Sequence, residues 1–286
     1  MSHLYAILAG CNYDGDGRPE VSPLVGAESD AKSMAAELLD RPISGGALVG
    51  LTVLLGTEMT TSNLRHAIKR GLTETKSGDM LLLYFSGHGR KEGDGLDLMT
   101  FDSAYTAVQL IEDCGSDRQP AGIILDCCHA ANVAIAKSEV RRQMNKFRLQ
   151  NLQFLCGSAG DQEAFEADGH GVFTRALLAA LDGQHEPPLL RVPLDLMSWC
   201  DAIPANLLTD TDVVQGSRDV LPEDHPLAVA EPPPSLLKAA QWAVIPDKNY
   251  NGNQHAVGVE QTAQPGATPP QAQEGAVTIP NARVVS

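Results

Sequence analysis

Two short polar segments, each directly following a run of apolar residues, constrain the fold of this chain most strongly. The apolar run 80–85 leads into residues 86–89 (SGHG), and the run 122–125 leads into residues 126–129 (DCCH). Continuous apolar runs of this kind are typical of buried strands in a parallel sheet. The loops at the carboxyl ends of such strands line one crevice. We therefore expect His88 to meet a cysteine there, as a thiol nucleophile and its general base require.

The rest of the first 181 residues alternates between strand-like runs and segments with helical period. The pattern predicts strands at about 4–10, 48–55, 80–85, 96–101, 122–125 and 151–156. It predicts helices at about 24–39, 61–72, 104–112, 129–140 and 173–181, with weaker helical signals within 192–208 and 235–244. Strand–helix alternation of this kind indicates an α/β protein with a doubly wound, mainly parallel sheet.

Composition narrows the function classes. The net charge of −15 argues against a nucleic-acid partner. The six cysteines show neither disulfide-framework nor zinc-site spacing. We find no signal peptide and no apolar run long enough to span a bilayer. We therefore expect a cytoplasmic protein with reduced thiols, no metal and no membrane partner.

The residues around the two polar segments resemble the caspase-like cysteine peptidases, in particular the metacaspases and their bacterial relatives. The matching blocks, in the family's order, are 24–31 (LVGAESDA), 84–89 (YFSGHG), 125–129 (LDCCH), 157–166 (GSAGDQEAFE) and 169–174 (GHGVFT). The resemblance implies a caspase-haemoglobinase-like three-layer sandwich, with a mainly parallel central sheet and helices on both faces. It also implies a cysteine endopeptidase.

The resemblance divides the chain into parts. The catalytic core is expected at residues 1–186, with a large-subunit part to about 140, a basic connection at about 137–149 and a small-subunit part from about 150. Residues 187–245 would continue the small-subunit region. Residues 246–286 are rich in Pro, Gln, Gly, Ala and Asn, a composition that predicts disorder.

Two adjacent cysteines, Cys127 and Cys128, follow the strand predicted at 122–125. Their side chains are expected to point to opposite faces, so only one of them can face His88. The family pattern places an aspartate two positions before the nucleophile, which selects Cys128 and leaves Cys127 as a packing residue. Asp126 and Cys128 would also share a face. By resemblance, His88 handles the proton, and the backbone N–H groups of Gly89 and Cys128 form the oxyanion hole.

The resemblance also implies specificity for substrates with a basic residue before the cut bond. Asp30, Ser86 and Asp126 match the family's acidic S1 pocket, and Asp161 is a further acidic candidate. Carboxylates hold a guanidinium bidentately, so protein substrates with exposed Arg or Lys are expected. The alternatives are that Asp30 is a solvated helix residue and Asp126 a helix N-cap.

A basic segment lies between the nucleophile and the next strand. Five basic residues fall within twelve positions, namely Lys137, Arg141, Arg142, Lys146 and Arg148. In caspase-like enzymes this connection is often where self-cleavage separates the two parts, so autoprocessing near Arg141 to Arg148 is expected. The alternative is a solvated basic helix face.

Two features depart from the family pattern. Ala130-Ala131 stands where many metacaspases have Ser-Gly. The acidic cluster that binds calcium in many members is reduced to Asp94, Asp97 and Asp102. Calcium takes about six to eight oxygen ligands, so calcium dependence is not expected.

Two other functions compete with the peptidase. A catalytically silent caspase-like scaffold is one, although both His88 and Cys128 are present. A nucleotide binder is the other, but residues 10–17 (GCNYDGDG) lack the Gly-rich fingerprint and contain acids. Resemblance to bacterial relatives suggests an upstream activating protease or partner, in a stress or antiviral programme.

Overall fold

The computed structural model describes residues 2–13, 21–40, 46–93, 95–116, 118–143, 152–182, 215–216 and 282–285, together with Leu194, Leu196, Trp199 and Ile203. The strands are β1 (Ser2–Gly10), β2 (Gly46–Leu55), β3 (Met80–Ser86), β4 (Gly89–Glu92), β5 (Gly95–Met99), β6 (Ala104–Thr106), β7 (Ala121–Asp126), β8 (Leu152–Cys156), β9 (Glu166–Ala167), β10 (His170–Gly171), β11 (Gln215–Gly216) and β12 (Ala282–Val285). The helices are α1 (Ala27–Asp40), α2 (Thr61–Glu74), α3 (Ala107–Cys114), α4 (Val133–Gln143) and α5 (Val172–Asp182).

Within these residues a seven-stranded sheet runs through the protein in the order β11-β8-β7-β3-β1-β2-β12. Its neighbours pair in parallel except β11, which runs antiparallel to β8. The central strand β3 is buried along its whole length, as a strand covered on both faces must be.

Helices cover both faces of this sheet. Alternate residues of each strand enter opposite cores, and in β1 Leu4, Ala6 and Leu8 pack with α1 and α5. Tyr5, Ile7 and Ala9 enter the other core, with α2, α3 and α4. The predicted three-layer α/β sandwich with a mainly parallel sheet is confirmed.

Two helices begin later in the sequence than predicted, and in each case the local backbone explains why. The helix expected from residue 129 begins at Val133, since His129 adopts a left-handed backbone with φ of 60° and a 3₁₀ turn follows it. The helix expected from residue 104 begins at Ala107, where Thr106 forms a capping box with Gln109. The preceding residues form β6, in a small antiparallel sheet with β4 and β5.

The C-terminal region is described only in part. Ala282–Val285 pairs in parallel with β2, so a short strand lies inside the stretch that composition predicts to be disordered. The side chains of Leu194, Leu196, Trp199 and Ile203 are buried in the core beside α1 and α5. The remaining residues of the predicted helices at 192–208 and 235–244 lie outside the described part of the chain. Among the described helices, none combines the length and apolarity that crossing a bilayer requires.

Candidate active site

Two adjacent strands bring the predicted histidine and cysteine to one edge of the sheet. β3 and β7 pair in parallel with Ser86 opposite Asp126. The backbone N–H of Gly87 donates to the carbonyl of Asp126 over 3.2 Å, which joins the two chain segments just beyond their strands. The loops carrying His88 and Cys128 therefore begin side by side.

Gly89 lies tightly against the cysteine loop. A Cβ at this position would lie 2.1 Å from the carbonyl oxygen of Cys128 and 3.0 Å from the Sγ of Cys127. Real Cβ atoms do not approach backbone so closely, so only glycine allows this contact. The predicted oxyanion-hole residues, Gly89 and Cys128, are thus in direct contact.

The two adjacent cysteines occupy different environments. Cys127 is 1% exposed and packs in the core with α2, α3 and α4. Cys128 is partly exposed. Burial raises the pKa of the Cys127 thiol well above its ordinary value. Cys127 is therefore placed as a packing residue, and Cys128 as the cysteine that a substrate can reach.

The Cys128 thiol receives one backbone hydrogen bond. The N–H of Ala164 donates to its Sγ over 3.3 Å. Burial raises the pKa of Cys128, the Ala164 N–H lowers it, and the nearby charge of Glu163 raises it further. The net direction of the pKa shift is upward, because burial outweighs the Ala164 hydrogen bond.

The imidazole of His88 is held by a backbone carbonyl. Its Nε2 lies 2.7 Å from the carbonyl oxygen of Ser22, and its ring lies 5.1 Å from that of Tyr13, centroid to centroid. A carbonyl can only accept, so Nε2 carries the hydrogen and a neutral imidazole keeps Nδ1 as its basic nitrogen. The sequence did not point to Ser22, because a backbone acceptor can be any residue.

A buried serine ties the cysteine loop to the loop after β8. The Oγ of Ser158 donates to the Cys127 carbonyl over 2.8 Å and accepts from the Ala130 N–H over 3.0 Å. The His129 N–H donates to the carbonyl of Gln162 over 2.8 Å. These bonds fix the turn on which Cys128 sits.

Three of the four predicted S1 residues form one buried cluster. Asp30 is fully buried and accepts from the Ser86 hydroxyl over 3.0 Å. Asp126 is 4% exposed and accepts from the N–H of Thr174 over 3.2 Å, in the first turn of α5. Asp161, by contrast, is exposed on the loop after β8.

The structure tests the alternative roles that the sequence left open for Asp30 and Asp126. The alternative of a solvated Asp30 is wrong, because this side chain is wholly inside the protein. The alternative of Asp126 as a helix N-cap is wrong for the helix that follows it. The carboxylate binds the first turn of α5, from a distant part of the sequence, rather than the helix that follows it.

Two residues that were not predicted complete this cluster. The His170 Nδ1 lies 2.8 Å from Asp30 Oδ1, and the Gly171 N–H donates to Asp30 Oδ2 over 2.9 Å. Burial raises the pKa of Asp30, and the His170 hydrogen bond is the largest opposing contribution. Burial also raises the pKa of Tyr84, followed by the charges of Asp30 and Asp126. The block 169–174 (GHGVFT) was the sequence signal for these partners, but nothing local linked it to Asp30.

Two of the three residues considered for calcium, Asp97 and Asp102, have protein partners. Asp97 pairs with Arg90 over 2.8 Å, and Asp102 accepts from the Thr61 N–H over 3.0 Å. Asp94 lies outside the described residues. In the part of the chain that the structure describes, no three His, Cys, Asp or Glu side chains form a metal-binding group.

The basic connection is described only at its start. Arg141 and Arg142 lie in α4, whereas Lys146 and Arg148 lie outside the described residues. The ammonium of Lys137 donates to the Leu152 carbonyl over 2.8 Å. Lys137 therefore joins α4 to β8.

Comparisons with known proteins find relatives of this chain in sequence and in fold. The family profile of the caspase domain matches residues 3–198. The chain is 35% identical to metacaspase-7 of Arabidopsis thaliana over 91 residues, which cover 30% of this chain and 21% of that protein. It is 27% identical to metacaspase-6 of the same plant over 165 residues, which cover 49% of this chain and 42% of that protein. The matches thus span less than half of either relative.

Solved structures share the fold. A protein from Geobacter sulfurreducens superposes with a TM-score of 0.56 at 18% identity, covering 82% of this chain and 97% of that one. Caspase-1 from Spodoptera frugiperda superposes with a TM-score of 0.50 at 13% identity, covering 73% of this chain and 77% of that one.

Proposed function

The chain belongs to the caspase-domain family, and on that premise we propose that it is a cysteine endopeptidase that cuts proteins after basic residues, arginine above lysine. The predicted resemblance to the caspase-like peptidases and metacaspases is confirmed by these comparisons. The pairing of β3 with β7 carries the proposal, because it starts the His88 and Cys128 loops at the same edge.

In the proposed reaction His88 Nδ1 takes the proton from Cys128 Sγ, and the thiolate attacks the carbonyl carbon of the scissile peptide bond. His88 then gives this proton to the leaving amine nitrogen as the C–N bond breaks, which leaves a thioester on Cys128. Water attacks the thioester and loses a proton to His88. The C–S bond breaks, the acid product leaves and Cys128 regains its proton.

Two features support these roles. The Ser22 carbonyl at 2.7 Å holds His88 Nε2 in its protonated form, which suits Nδ1 for the base. The raised pKa of Cys128 is consistent with a thiol that is activated by its base rather than charged at rest.

The specificity rests on the charge of the buried cluster. Asp30 and Asp126 offer two carboxylates, and the positions that match the pocket hold no arginine. A substrate aspartate would face like charges, which cost several kcal/mol when juxtaposed, whereas a guanidinium would be attracted. This supports cleavage after Arg or Lys and disfavours cleavage after Asp.

We also propose self-cleavage within the basic connection, from Arg141 to Arg148. A peptidase binds its substrate as an extended chain, so residues of a formed helix must first unwind. Arg141 and Arg142 lie in α4, so a cut after either of them requires this part of the helix to unwind.

The proposed setting is the cytoplasm, with an upstream protease or a partner as the trigger in a stress or antiviral programme. The five cysteines in the described part of the chain form no disulfide with one another, in keeping with a reducing compartment.

Hydrolysis of fluorogenic peptides that differ only in Arg, Lys or Asp before the reporter tests the proposal on the full chain. We expect kcat/KM for Arg to exceed that for Asp by at least about a hundredfold, since like charges oppose the Asp peptide. The Cys128→Ala variant should cleave none of them. Preferred cleavage of the Asp peptide would contradict the specificity, and equal inactivity of wild type and Cys128→Ala would favour the silent scaffold.

A further inference from the structure

The fully buried Asp30 already carries a basic group from the same chain. The imidazole of His170, 140 residues away in sequence, binds Asp30 Oδ1 through Nδ1 over 2.8 Å. The other two groups bonded to Asp30 are the Ser86 hydroxyl and the Gly171 N–H. Of these three donors, only the imidazole can carry a positive charge.

A second carboxylate converges on the same place. A Cβ on Gly171 would lie 2.2 Å from Asp126 Oδ2 and 3.0 Å from Asp30 Oδ2, so both carboxylates border this glycine. The phenol of Tyr84 lies close enough for both charges to raise its pKa. Such a site favours a cation.

His170 sits on a short hairpin formed by β9 and β10. β9 and β10 have two residues each, and two-stranded hairpins of this size are marginal. The Glu166 carboxylate anchors the first strand by accepting from the N–H groups of Val25 and Gly26 over 3.0 and 2.8 Å. The second strand carries His170 between Gly169 and Gly171. The His170 side chain is 11% exposed and Asp30 is fully buried, so the imidazole lies nearer the surface.

We infer that His170 is a specificity-determining residue, which occupies on Asp30 the place that the substrate's basic side chain takes when it binds. This inference rests on the proposed cleavage after basic residues. A guanidinium can replace the imidazole because it presents a bidentate, permanently charged donor set. A neutral side chain cannot form a charged, bidentate pair with Asp30, so it does not displace His170. His170 therefore competes with the substrate's cation: it lowers the affinity for basic side chains and leaves the affinity for neutral ones unchanged.

Peptide binding to a non-cleaving form of the full chain tests this. A fluorescent peptide with arginine at the cut position, and the same peptide with its neutral isostere citrulline, are titrated into Cys128→Ala and into Cys128→Ala/His170→Gln by anisotropy. Cys128→Ala/His66→Gln is the matched control, since His66 is exposed on α2. If the His170→Gln form does not fold, judged by its circular dichroism, His170→Asn replaces it.

We expect the arginine peptide to bind about threefold to tenfold more tightly once the competing imidazole is gone, the scale of one net hydrogen bond. Binding of the citrulline peptide, and both affinities of the control, should stay unchanged. A structural role alone would move both peptides together. Unchanged or weaker arginine binding would overturn the inference, the weaker result meaning that His170 instead keeps Asp30 charged for the substrate.

Hydrolysis of the arginine peptide by wild type is measured beside the binding. Cleavage with tightened binding supports both the proposed function and the role of His170. Cleavage without tightening overturns the role of His170 alone. Absence of cleavage overturns the proposed function, and the binding result still decides whether His170 guards a cation pocket.

Discussion

Ser86 and Asp126 stand opposite each other in the parallel pairing of β3 with β7. Each is the last residue of its strand, and two residues later come His88 and Cys128. The Ser86 hydroxyl donates to Asp30, and Asp126 accepts from the Thr174 hydroxyl. Both side chains therefore belong to the buried acidic cluster. One register thus aligns the proposed catalytic residues and the proposed specificity residues.

Replacing Gly89 by alanine should abolish most activity without preventing folding. The new Cβ would meet the Cys128 carbonyl at 2.1 Å, so the two loops must move apart. Displacements of about 1 Å at a reacting centre can cost about a hundredfold in rate, and we expect kcat/KM for an Arg peptide to fall by about that factor. Gly95→Ala is the control, since its nearest contact is the Glu92 carbonyl at 3.2 Å. Equal activity of Gly89→Ala and Gly95→Ala would contradict this role.

Replacing Ser158 by alanine should lower the free energy of unfolding. The change removes the partners of the Cys127 carbonyl and the Ala130 N–H, and buried polar groups left unpaired cost about 1–3 kcal/mol. Urea unfolding measures the loss. Ser62→Ala, an exposed serine of α2, should change stability by less than about 0.5 kcal/mol. A similar, small effect of both variants would show that Ser158 does not hold the loop.

The sequence predicts the sheet well because its central strands are unbroken apolar runs. β3 and β7 fall within one or two residues of their predicted bounds, and this places His88 and Cys128 correctly at the strand ends. By contrast, β4 is an exposed segment of Gly-Arg-Lys-Glu with no apolar alternation, so no pattern marks it as a strand.

The partners within the site are less predictable. The bond between His170 and Asp30 joins residues 140 positions apart, and neither residue type alone indicates the other. Ser22 acts through its backbone carbonyl, which carries no sequence signature. The resemblance identifies Asp30 as a pocket residue, but only the packing of β10 and α5 reveals how completely it is buried.

The rate at which Cys128 is alkylated should rise with pH, because burial raises the pKa of its thiol. Burial raises the pKa of this thiol above its ordinary value, so the reactive thiolate is scarce at neutral pH and increases only as the pH becomes alkaline. Mass spectrometry of the iodoacetamide-treated chain follows the modification, with Cys128→Ala as the blank. A fast rate that is flat between about pH 6 and pH 8 would instead indicate a thiolate–imidazolium pair at rest.

Self-cleavage should fall after a basic residue of the connection, from Arg141 to Arg148. Mass spectrometry of the purified chain identifies the new termini, and Cys128→Ala should remain uncut. Changing Arg141, Arg142, Lys146 and Arg148 together to Gln should abolish the processing. Identical fragments from wild type and Cys128→Ala would rule out self-cleavage and favour a purely structural basic segment.

The most direct test of the central claim compares two adjacent thiols on one Arg peptide. Cys128 is partly exposed beside the His88 loop, whereas Cys127 is 1% exposed in the core. Cys128→Ala should lower kcat/KM by at least about a thousandfold, the scale of losing an essential nucleophile. Cys127→Ala should remain within about tenfold of wild type, with its cost falling mainly on stability. Activity that survives in Cys128→Ala but is lost in Cys127→Ala would contradict the account.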